Sequence, residues 1–535
     1  MSGNRKIGPE DVNVVIKFGG GLHTRASPDE INDREASDGF NFLIDYENKN
    51  LRNRPPFDLI GQVPNASEVR GGFSFRKSDG TVHAGFQAGG TVYSWDGLTT
   101  FTSIGTCSSG SKLRGHWRSH TWNLDDKVII TDLNLQDVVK EWNGSTFQSS
   151  TFTNEAGSGF GTFYAKYCNV TDERVMFFNT KDGSGTTPHL IVGSARSSFT
   201  EITVNQRPSS SLSDKDPFFL LSPDLKPING AIEAFGTALV STEKGQIFRL
   251  SGSSAKDFQF DPFYPNSYAT GDESMAVIGN DVIYGRQGRI ESLLDTQYFG
   301  NSRASDITSG IADIIQDYTG WTTIFNSRIR HALCFPADVS EVWVMDTAIR
   351  DDGQISPWMR WKTDHALAFK PTFVDSMLDP NDGLEYVFMG DASGNIYRFE
   401  GTGTGGDGGT SPITVQLLTK VFPARLDAKA YDLEGYIKYA KNQEATLTLT
   451  FRYQGREIFD KSITIDLPEV SGASYYGGDA YYGGDFYYGT IAGRLARLPF
   501  FPPGDANEFQ LLIEYTGTND ISVNEIGIRL KQASG

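Results

Sequence analysis

The chain has 535 residues and a formal net charge of −18, because 66 Asp and Glu outnumber 48 Lys and Arg. This balance argues against a protein that grips nucleic acid, since phosphate neutralisation requires clustered basic side chains, but it suits a soluble protein or the wall of a passage through which DNA slides. Aromatic residues make up 12% and glycines number 58, which is typical of many strands joined by tight turns rather than of a helical protein.

The cysteines and the N-terminal sequence indicate no redox, metal or membrane motif. Cys107, Cys168 and Cys334 are far apart and odd in number, so we expect reduced core thiols. Residues 1–17 mix charges and lack the apolar segment of a secretory signal, and no apolar run reaches membrane-spanning length. The sequence therefore predicts no membrane anchor.

Residues 1–64 form an N-terminal lead-in, which we expect either to pack on the C-terminal domain or to close the repeat array that follows. A strand is predicted at 12–17, and three glycines then interrupt it without forming a phosphate loop, since no Gly-Lys-Ser/Thr ending follows. Ser27, Pro28 and Glu30 have the spacing of a helix start, so a short helix ending near Gly39 is predicted.

Residues 65–402 carry a loose repeat, in which a β-branched residue, any two residues, a large apolar residue, a small polar or acidic residue and Gly follow one another. Good copies lie at 92–97, 139–144, 247–252 and 396–401, and weaker ones at 190–193, 282–285 and 342–346. Their spacing of roughly 45–60 residues is that of β-propellers, and each interval holds about four strand-length segments. We predict an all-β propeller of about seven blades; the alternative is a β-rich protein with ordinary hairpins and no radial symmetry.

One segment of the array has helical spacing. Ser305 and Asp306 are possible caps, and apolar residues follow at Ile307, Ile311, Ile314 and Ile315. Either a helix is inserted between blades, or a helical turn covers one end of a blade; we favour the turn.

Residues 403–411 are predicted to be a flexible glycine-rich linker, and residues 412–535 a β-sandwich-like domain whose strands alternate between apolar and polar residues. A Tyr/Gly-rich insert at 474–489 interrupts this domain, with paired tyrosines every six residues. They are Tyr475, Tyr476, Tyr481, Tyr482, Tyr487 and Tyr488. Such a loop offers large contact area with polar tips, which favours a protein-contact loop; the alternative is a loop folded onto its own domain.

No residue is assigned a catalytic, cofactor-binding or metal-binding role. His116 and His120 lie in a strand-like context that separates them too far for easy chelation. Potential acidic catalysts lie in Asp-Gly or Asn-Asp-Gly turns, where we expect each carboxylate to bond its own backbone. These residues are Asp351, Asp352, Asp379, Asp382 and Asp391.

Motifs along most of the chain resemble the tail nozzle proteins of short-tailed bacteriophages, also called tail stabilisation or tail accessory proteins. In the lead-in they are Gly19 to Gly21, Ser27-Pro28, Glu35-Ala36, Asn41-Phe42 and the Arg-Asn-Arg-Pro-Pro segment 52–56. Later they are Ser-Pro-Trp-Met-Arg-Trp at 356–361, Gly-Arg-Leu-Ala-Arg-Leu at 493–498, residues 509–514 and Asn-Glu-Ile-Gly-Ile at 524–528. The motifs are loose, and the Tyr-Tyr-Gly insert is not typical of the family.

The resemblance implies a structural virion protein without enzymatic activity. It implies a homohexameric ring below the adaptor, or head-to-tail connector, in a tail assembled in the host cytoplasm. Genome DNA would pass through the lumen without sequence-specific binding and be retained until ejection. Attachment of tail fibres or spikes is left open, although the chain lacks the long insertion that docks fibres in some members, which argues against it.

The main alternative is a carbohydrate-binding or carbohydrate-degrading tail propeller, which exposed aromatic residues and turn aspartates would serve. An interaction scaffold of the eukaryotic repeat type is disfavoured, because Trp95-Asp96 is a lone match to its signature. An axial pocket that gathers carboxylates around a sugar-sized cavity would count against the nozzle hypothesis.

Overall fold

The computed structural model describes residues 12–532 except for 46–49, 118–125, 155–156, 158, 171–173, 184, 197, 235, 266, 270–272, 280, 294–304, 327–330, 348–356, 363–369, 400–406, 408–410, 424–430, 440–444, 456–458, 468–493, 499–505 and 520. Strands make up 60% of the described residues and helices 2%, which confirms the all-β class. The predicted propeller followed by a sandwich-like domain is confirmed as well. Within the described ranges, no helix has the length and apolar character needed to span a bilayer.

The lead-in contributes six strands. They are β1 (Val12–Lys17), β2 (Gly21–Leu22), β3 (Glu35–Phe40), β4 (Phe42–Asp45), β5 (Asn50–Asn53) and β6 (Phe57–Gln62).

The first three blades follow in chain order, with a small hairpin between the second and third. Blade one is β7 (Val69–Arg76), β8 (Val82–Ala88), β9 (Thr91–Trp95) and β10 (Phe101–Thr106). Blade two is β11 (Leu113–His116), β12 (Val128–Asp132), β13 (Lys140–Trp142) and β14 (Phe147–Ser149). The hairpin is β15 (Phe152–Thr153) and β16 (Gly159–Gly161). Blade three is β17 (Phe163–Val170), β18 (Val175–Asp182), β19 (Gly185–Gly193) and β20 (Phe218–Leu221).

Four further blades complete the array. Blade four is β21 (Ile228–Ala234), β22 (Thr237–Thr242), β23 (Ile247–Ser251) and β24 (Gln259–Tyr264). Blade five is β25 (Met275–Ile278), β26 (Asp281–Arg286), β27 (Arg289–Ser292) and β28 (Ser305–Asp306). Blade six is β29 (Trp321–Asn326), β30 (His331–Pro336), β31 (Val342–Asp346) and β32 (Trp358–Trp361). Blade seven is β33 (Phe373–Leu378), β34 (Glu385–Gly390), β35 (Asn395–Phe399) and, from the lead-in, β6.

The wheel closes because β6 supplies the outer strand of blade seven. It pairs antiparallel with β35, so that Phe57 lies opposite Phe399 and Asp58 opposite Arg398. The first strand of each blade lies innermost and contacts the first strand of the next, including β33 of blade seven against β7 of blade one. The two ends of the array are therefore joined by hydrogen bonds and by packing.

The sequence template corresponds to the third strand of a blade and the turn that leaves it. All four good copies coincide with third strands, namely β9, β13, β23 and β35. In blade one the Asp96 carboxylate accepts hydrogen bonds from the backbone N–H groups of Leu98 (2.8 Å) and Thr100 (3.0 Å), and Gly97 has φ +85°. The acidic residue and the glycine thus form the turn to the fourth strand. Among the weaker copies, 282–285 lies instead in a second strand, β26.

Strands from both ends of the chain build the sandwich. Its C-terminal strands are β36 (Ile413–Pro423), β37 (Tyr431–Tyr439), β38 (Ala445–Gly455), β39 (Phe459–Leu467), β40 (Arg494–Leu498), β41 (Ala506–Gly517) and β42 (Ser522–Gln532). One sheet has the order β4-β5-β42-β37-β40, with β1 also paired to β42, and the other has the order β2-β3-β36-β41-β38-β39. The lead-in therefore takes both positions that its sequence left open: β1 to β5 join the sandwich and β6 closes the propeller.

Two helix predictions have different outcomes. The helix predicted after Ser27 is wrong: a turn forms instead, in which the Glu30 N–H donates to the Ser27 carbonyl (2.8 Å), and β3 then begins at Glu35. Strand pairing of β3 with β36 overrides the local helix signal. The preferred helical turn in the array is confirmed as a 3-10 turn (Ser309–Ile311) followed by one α-turn (Ala312–Ile315).

Candidate functional site

A cavity of about 360 Å³ lies on the propeller axis, between the innermost strands. It is lined by Arg114, Gly115, His116, Leu133, Tyr167, Gly230, Ala231, Ile232, Glu273, Ser274, Met275, Ala276, Val277, Thr323, Ile324 and Asp375. These residues come from blades two to seven, so radial closure of the wheel is what creates the cavity.

An ion pair crosses the axial opening beside this cavity. Arg114 on β11 donates from Nε and Nη2 to the two Glu273 carboxylate oxygens, at 2.5 and 3.0 Å. Glu273 precedes β25 of blade five. Blades three and four separate it from β11 in one direction around the wheel, and blades six, seven and one do so in the other. Arg114 Nη1 donates to the carbonyls of Arg70 and Leu113, both at 3.0 Å, and the guanidinium lies 4.9 Å from the Phe373 ring centre. This side chain therefore ties blades one, two, five and seven together.

Asp375 on β33 brings a second carboxyl group to the cavity. Burial raises the pKa of this carboxyl to about 7, because the lower pKa favoured by Arg114 does not offset desolvation and the repulsion from Glu273. The Ser376 N–H donates to Asp375 Oδ1 at 2.8 Å. Asp375 thus changes charge close to neutral pH, in contact with a cavity.

His116 also lines the cavity but has the character of a neutral core histidine. Its Nε2 lies 2.9 Å from Thr131 Oγ1, and burial, assisted by Arg114, lowers its pKa to about 4. Its sequence partner His120 lies outside the described residues. Within the described part of the chain, no group of three or more His, Cys, Asp or Glu is placed to hold a metal ion.

A second concentration of buried polar groups lies where the propeller meets the sandwich. Arg54, 1% exposed, binds both carboxylate oxygens of Asp407, one of them at 2.7 Å. Its Nε donates to Asn41 Oδ1 (3.0 Å) and its Nη2 to the Lys362 carbonyl (3.2 Å). Asp407 belongs to the segment predicted to be a flexible linker. At this residue that prediction is wrong, because the linker is anchored by a buried ion pair.

Tryptophans of blade six pack against the lead-in at the same place. Trp361 donates from Nε1 to the Phe42 carbonyl (2.8 Å), and Trp358 donates to the Ile307 carbonyl (2.7 Å). Gly21 has φ +70°, and a Cβ there would lie 2.7 Å from the Trp358 nitrogen. We call this set the junction: Gly21, Asn41, Phe42, Arg54, Trp358, Trp361 and Asp407.

The predicted site residues have separate outcomes. The six tyrosines of the contact-loop prediction lie outside the described residues. Three of the turn aspartates accept backbone N–H groups of their own turns as predicted: Asp379 from Asn381, Asp382 from Leu384 and Asp391 from Ser393, all at 2.8 Å. Asp351 and Asp352 lie outside the described residues.

The three cysteines are unpaired. Cys168 and Cys334 are buried, and Cys107 is half-buried, where burial raises the pKa of its thiol to about 12. None of the three thiols has the lowered pKa of a reactive cysteine.

The chain is similar in fold to several solved structures of low sequence identity. The computationally designed Ika8 protein is 13% identical with a TM-score of 0.34, and the match covers 64% of this chain and 99% of that one. YCF48, solved bound to a D1 peptide, is 10% identical with a TM-score of 0.40, covering 64% and 95%. BamB from Moraxella catarrhalis is 11% identical with a TM-score of 0.35, covering 66% and 92%. YCF48 and BamB are β-propellers.

No family model matches the chain, and no curated protein sequence matches it.

The axial cavity and the ion pair at Arg54 are the features that sequence reasoning missed. The nozzle hypothesis named carboxylates around a sugar-sized axial cavity as a contrary observation, and this cavity meets that description in part. Glu273 and Asp375 both line it, but Arg114 neutralises Glu273. The available signal was an acidic residue inside an apolar strand, Asp375 between Val374 and Met377.

Proposed function

We propose that the chain is a structural virion protein that forms the hexameric tail nozzle of a short-tailed bacteriophage. It would attach below the adaptor, line the DNA-exit channel and retain DNA until ejection. The protein's contribution would be mechanical and electrostatic rather than catalytic.

The observation that carries the proposal is the convergence of the family-like motifs. Gly21, Asn41-Phe42, Arg54 and the Trp358–Trp361 strand are up to 340 residues apart in sequence, yet they meet at the junction. Residues that fix the position of one domain on another are needed in a subunit that must keep a single shape. A ring subunit under the load of packaged DNA needs such a fixed shape.

Packing at the junction supports the same interpretation. One continuous hydrophobic core includes Trp358 and Trp361 of blade six, Phe42 of the lead-in and Ile513 of the sandwich. Close-packed interiors deform little, so the wheel and the sandwich are expected to move as one body. A stiff wedge of this kind is a suitable unit for a closed ring.

The net charge of −18 is compatible with a channel lining. A negative surface repels DNA and keeps it mobile. DNA retention would then depend on a narrow passage rather than on adhesion.

The alternative, a carbohydrate-binding or carbohydrate-degrading propeller, would use the axial cavity. Glycoside hydrolysis commonly requires two carboxyl groups that are free to act as acid and base or nucleophile. Here both oxygens of Glu273 are engaged by Arg114, which leaves Asp375 as one available carboxyl group. A glycan array with a hydrolysis assay tests this alternative, and activity abolished by Asp375→Asn would promote it above the nozzle proposal.

Negative-stain imaging of the purified full-length protein, alone and mixed with phage particles that end in their adaptor ring, tests the nozzle proposal. We expect rings with an axial channel in at least one of the two samples. A protein that stays monomeric in both would contradict the proposal.

A further inference from the structure

We propose that the axial cavity binds a small aliphatic amine, whose ammonium group pairs with the Asp375 carboxylate while its carbon chain lies on the apolar wall. This inference goes beyond the nozzle proposal and does not depend on it. A ligand in the propeller axis could be present in a ring subunit or in a monomer.

The cavity has the size and the lining of a small-ligand site. Its volume of about 360 Å³ is at the lower end of the roughly 300–1,000 Å³ found for ligand pockets. Six apolar side chains form much of the wall: Leu133, Ala231, Ile232, Met275, Val277 and Ile324. A short alkyl chain would replace water along this wall, which is favourable by about 0.8 kcal/mol per buried methylene.

The charges in the cavity select the polar end of the ligand. Arg114 and Glu273 satisfy each other through two hydrogen bonds, and the remaining guanidinium nitrogen is held by backbone carbonyls. Asp375 receives one donor, the Ser376 N–H on Oδ1, and no described residue donates a hydrogen bond to its second oxygen. One carboxyl group therefore has unused acceptor capacity.

Charged and titratable groups around Asp375 favour a cationic partner. On β11 they are Arg114 and His116, before β25 Glu273, and on β34 Glu385. With Arg114 already used by Glu273, ionised Asp375 leaves an excess negative charge at the cavity. An anion would be repelled, and a neutral alcohol would leave that charge uncompensated, whereas an ammonium group supplies both charge and three donors.

Binding of a cation should be linked to proton release. Free Asp375 is largely protonated below about pH 7, so an ammonium ligand that pairs with its carboxylate must displace that proton. Above that pH the carboxylate is already ionised, so binding of the amine should release few protons. A neutral ligand has no reason to release protons at either pH.

Isothermal titration calorimetry of the full-length protein with n-butylamine tests the proposal, with n-butanol as the neutral isostere. Titrations at about pH 6 and about pH 8, each in two buffers of different ionisation enthalpy, count the protons released. We expect saturable binding of the amine at least about tenfold tighter than that of the alcohol, with close to one proton released at the lower pH.

Asp375→Asn should weaken amine binding by about tenfold or more, because it removes the charge that the ligand pairs with. Asp466→Asn is the matched control, since Asp466 is an exposed carboxylate on β39 of the sandwich that does not line the cavity, and binding should change less than about twofold. If the Asp375 variant fails to fold, the number of protons that the wild-type protein releases on binding the amine tests the proposal instead.

Three outcomes would overturn the proposal. One is binding of n-butanol or a neutral monosaccharide as tight as that of the amine. Another is the absence of saturable amine binding up to about 10 mM. The third is amine binding that releases no proton at the lower pH.

Discussion

Asp375 makes the stability of the fold depend on pH in an unusual direction for a carboxyl group. Its pKa is raised to about 7 in the folded chain from 3.8, so the fold prefers the protonated form. The stabilisation is fully present below the unfolded pKa and is lost as pH rises through the folded pKa. Burial at the axis, with Glu273 nearby, is the physical cause.

Asp375→Asn should remove this dependence. Between about pH 5 and about pH 8 the free energy of unfolding of the wild type should fall by roughly 1–3 kcal/mol more than that of the variant. Urea denaturation at both pH values measures the difference. Parallel pH profiles for the two proteins would contradict the raised pKa.

The Arg54–Asp407 pair should contribute more to the free energy of unfolding than a surface ion pair does. Its side chains are 1% and 3% exposed, so Asp407→Asn leaves a buried guanidinium uncompensated, at a cost of about 3–5 kcal/mol. The control is Lys256→Met, which breaks a pair with Asp214 whose side chains are 45% and 54% exposed, and should cost below about 1 kcal/mol. Chemical denaturation compares the two variants, and equal small losses would show that the junction does not depend on the pair.

At the scale of elements, β6 makes the strand pairing that closes the wheel. Phe57 is 2% exposed and stacks on Phe399 with ring centres 6.0 Å apart. Phe57→Ala should destabilise the protein by about 3–5 kcal/mol, whereas Leu59→Ala on the same strand, 47% exposed, should cost less than about 1 kcal/mol. Denaturation of both variants tests this, and similar losses would contradict the closure by β6.

Glycine at the end of the template is required by conformation and by space. Gly97 has φ +85°, and a Cβ there would lie 2.6 Å from the Asn381 nitrogen in blade seven. Gly80 has φ +89° with no atom within 4 Å of the same position. Gly80→Ala should cost about 1–2 kcal/mol, and Gly97→Ala more. Thermal denaturation that ranks the two variants the other way would contradict this account of the turn.

Local patterns predicted the elements but not the way in which distant elements meet. The third strands were predictable because a polar residue and a glycine such as Asp96-Gly97 define a turn through their own backbone. Arg114 and Glu273 carry no local signal, and Asp375 carries only that of an acidic residue in an apolar strand, because the three converge only when the blades close. Asp407 was misjudged for a related reason: glycine-rich composition indicates flexibility, and the partner that anchors this residue lies 353 residues away.

At the scale of the whole molecule, strands from the lead-in and from the C-terminal region form the two sheets of the sandwich. β1 and β5 of the lead-in pair with β42 of the sandwich and β3 pairs with β36, while β2 and β4 join these sheets through β3 and β5; β6 then starts the path through the wheel. The propeller is held to the sandwich by the hydrogen bond from Trp361 to the Phe42 carbonyl and, beside it, by the Arg54–Asp407 pair, in which Arg54 also donates to the Lys362 carbonyl. Such a connection limits bending between the wheel and the sandwich, which is the property that the nozzle proposal requires.

A three-dimensional reconstruction of the assembled particle by electron cryomicroscopy tests the central claim most directly. The nozzle proposal predicts a closed six-fold ring around an open channel, in which every subunit contains the seven-bladed wheel and its sandwich as one rigid wedge. Single subunits, or an assembly without an axial channel, would contradict it.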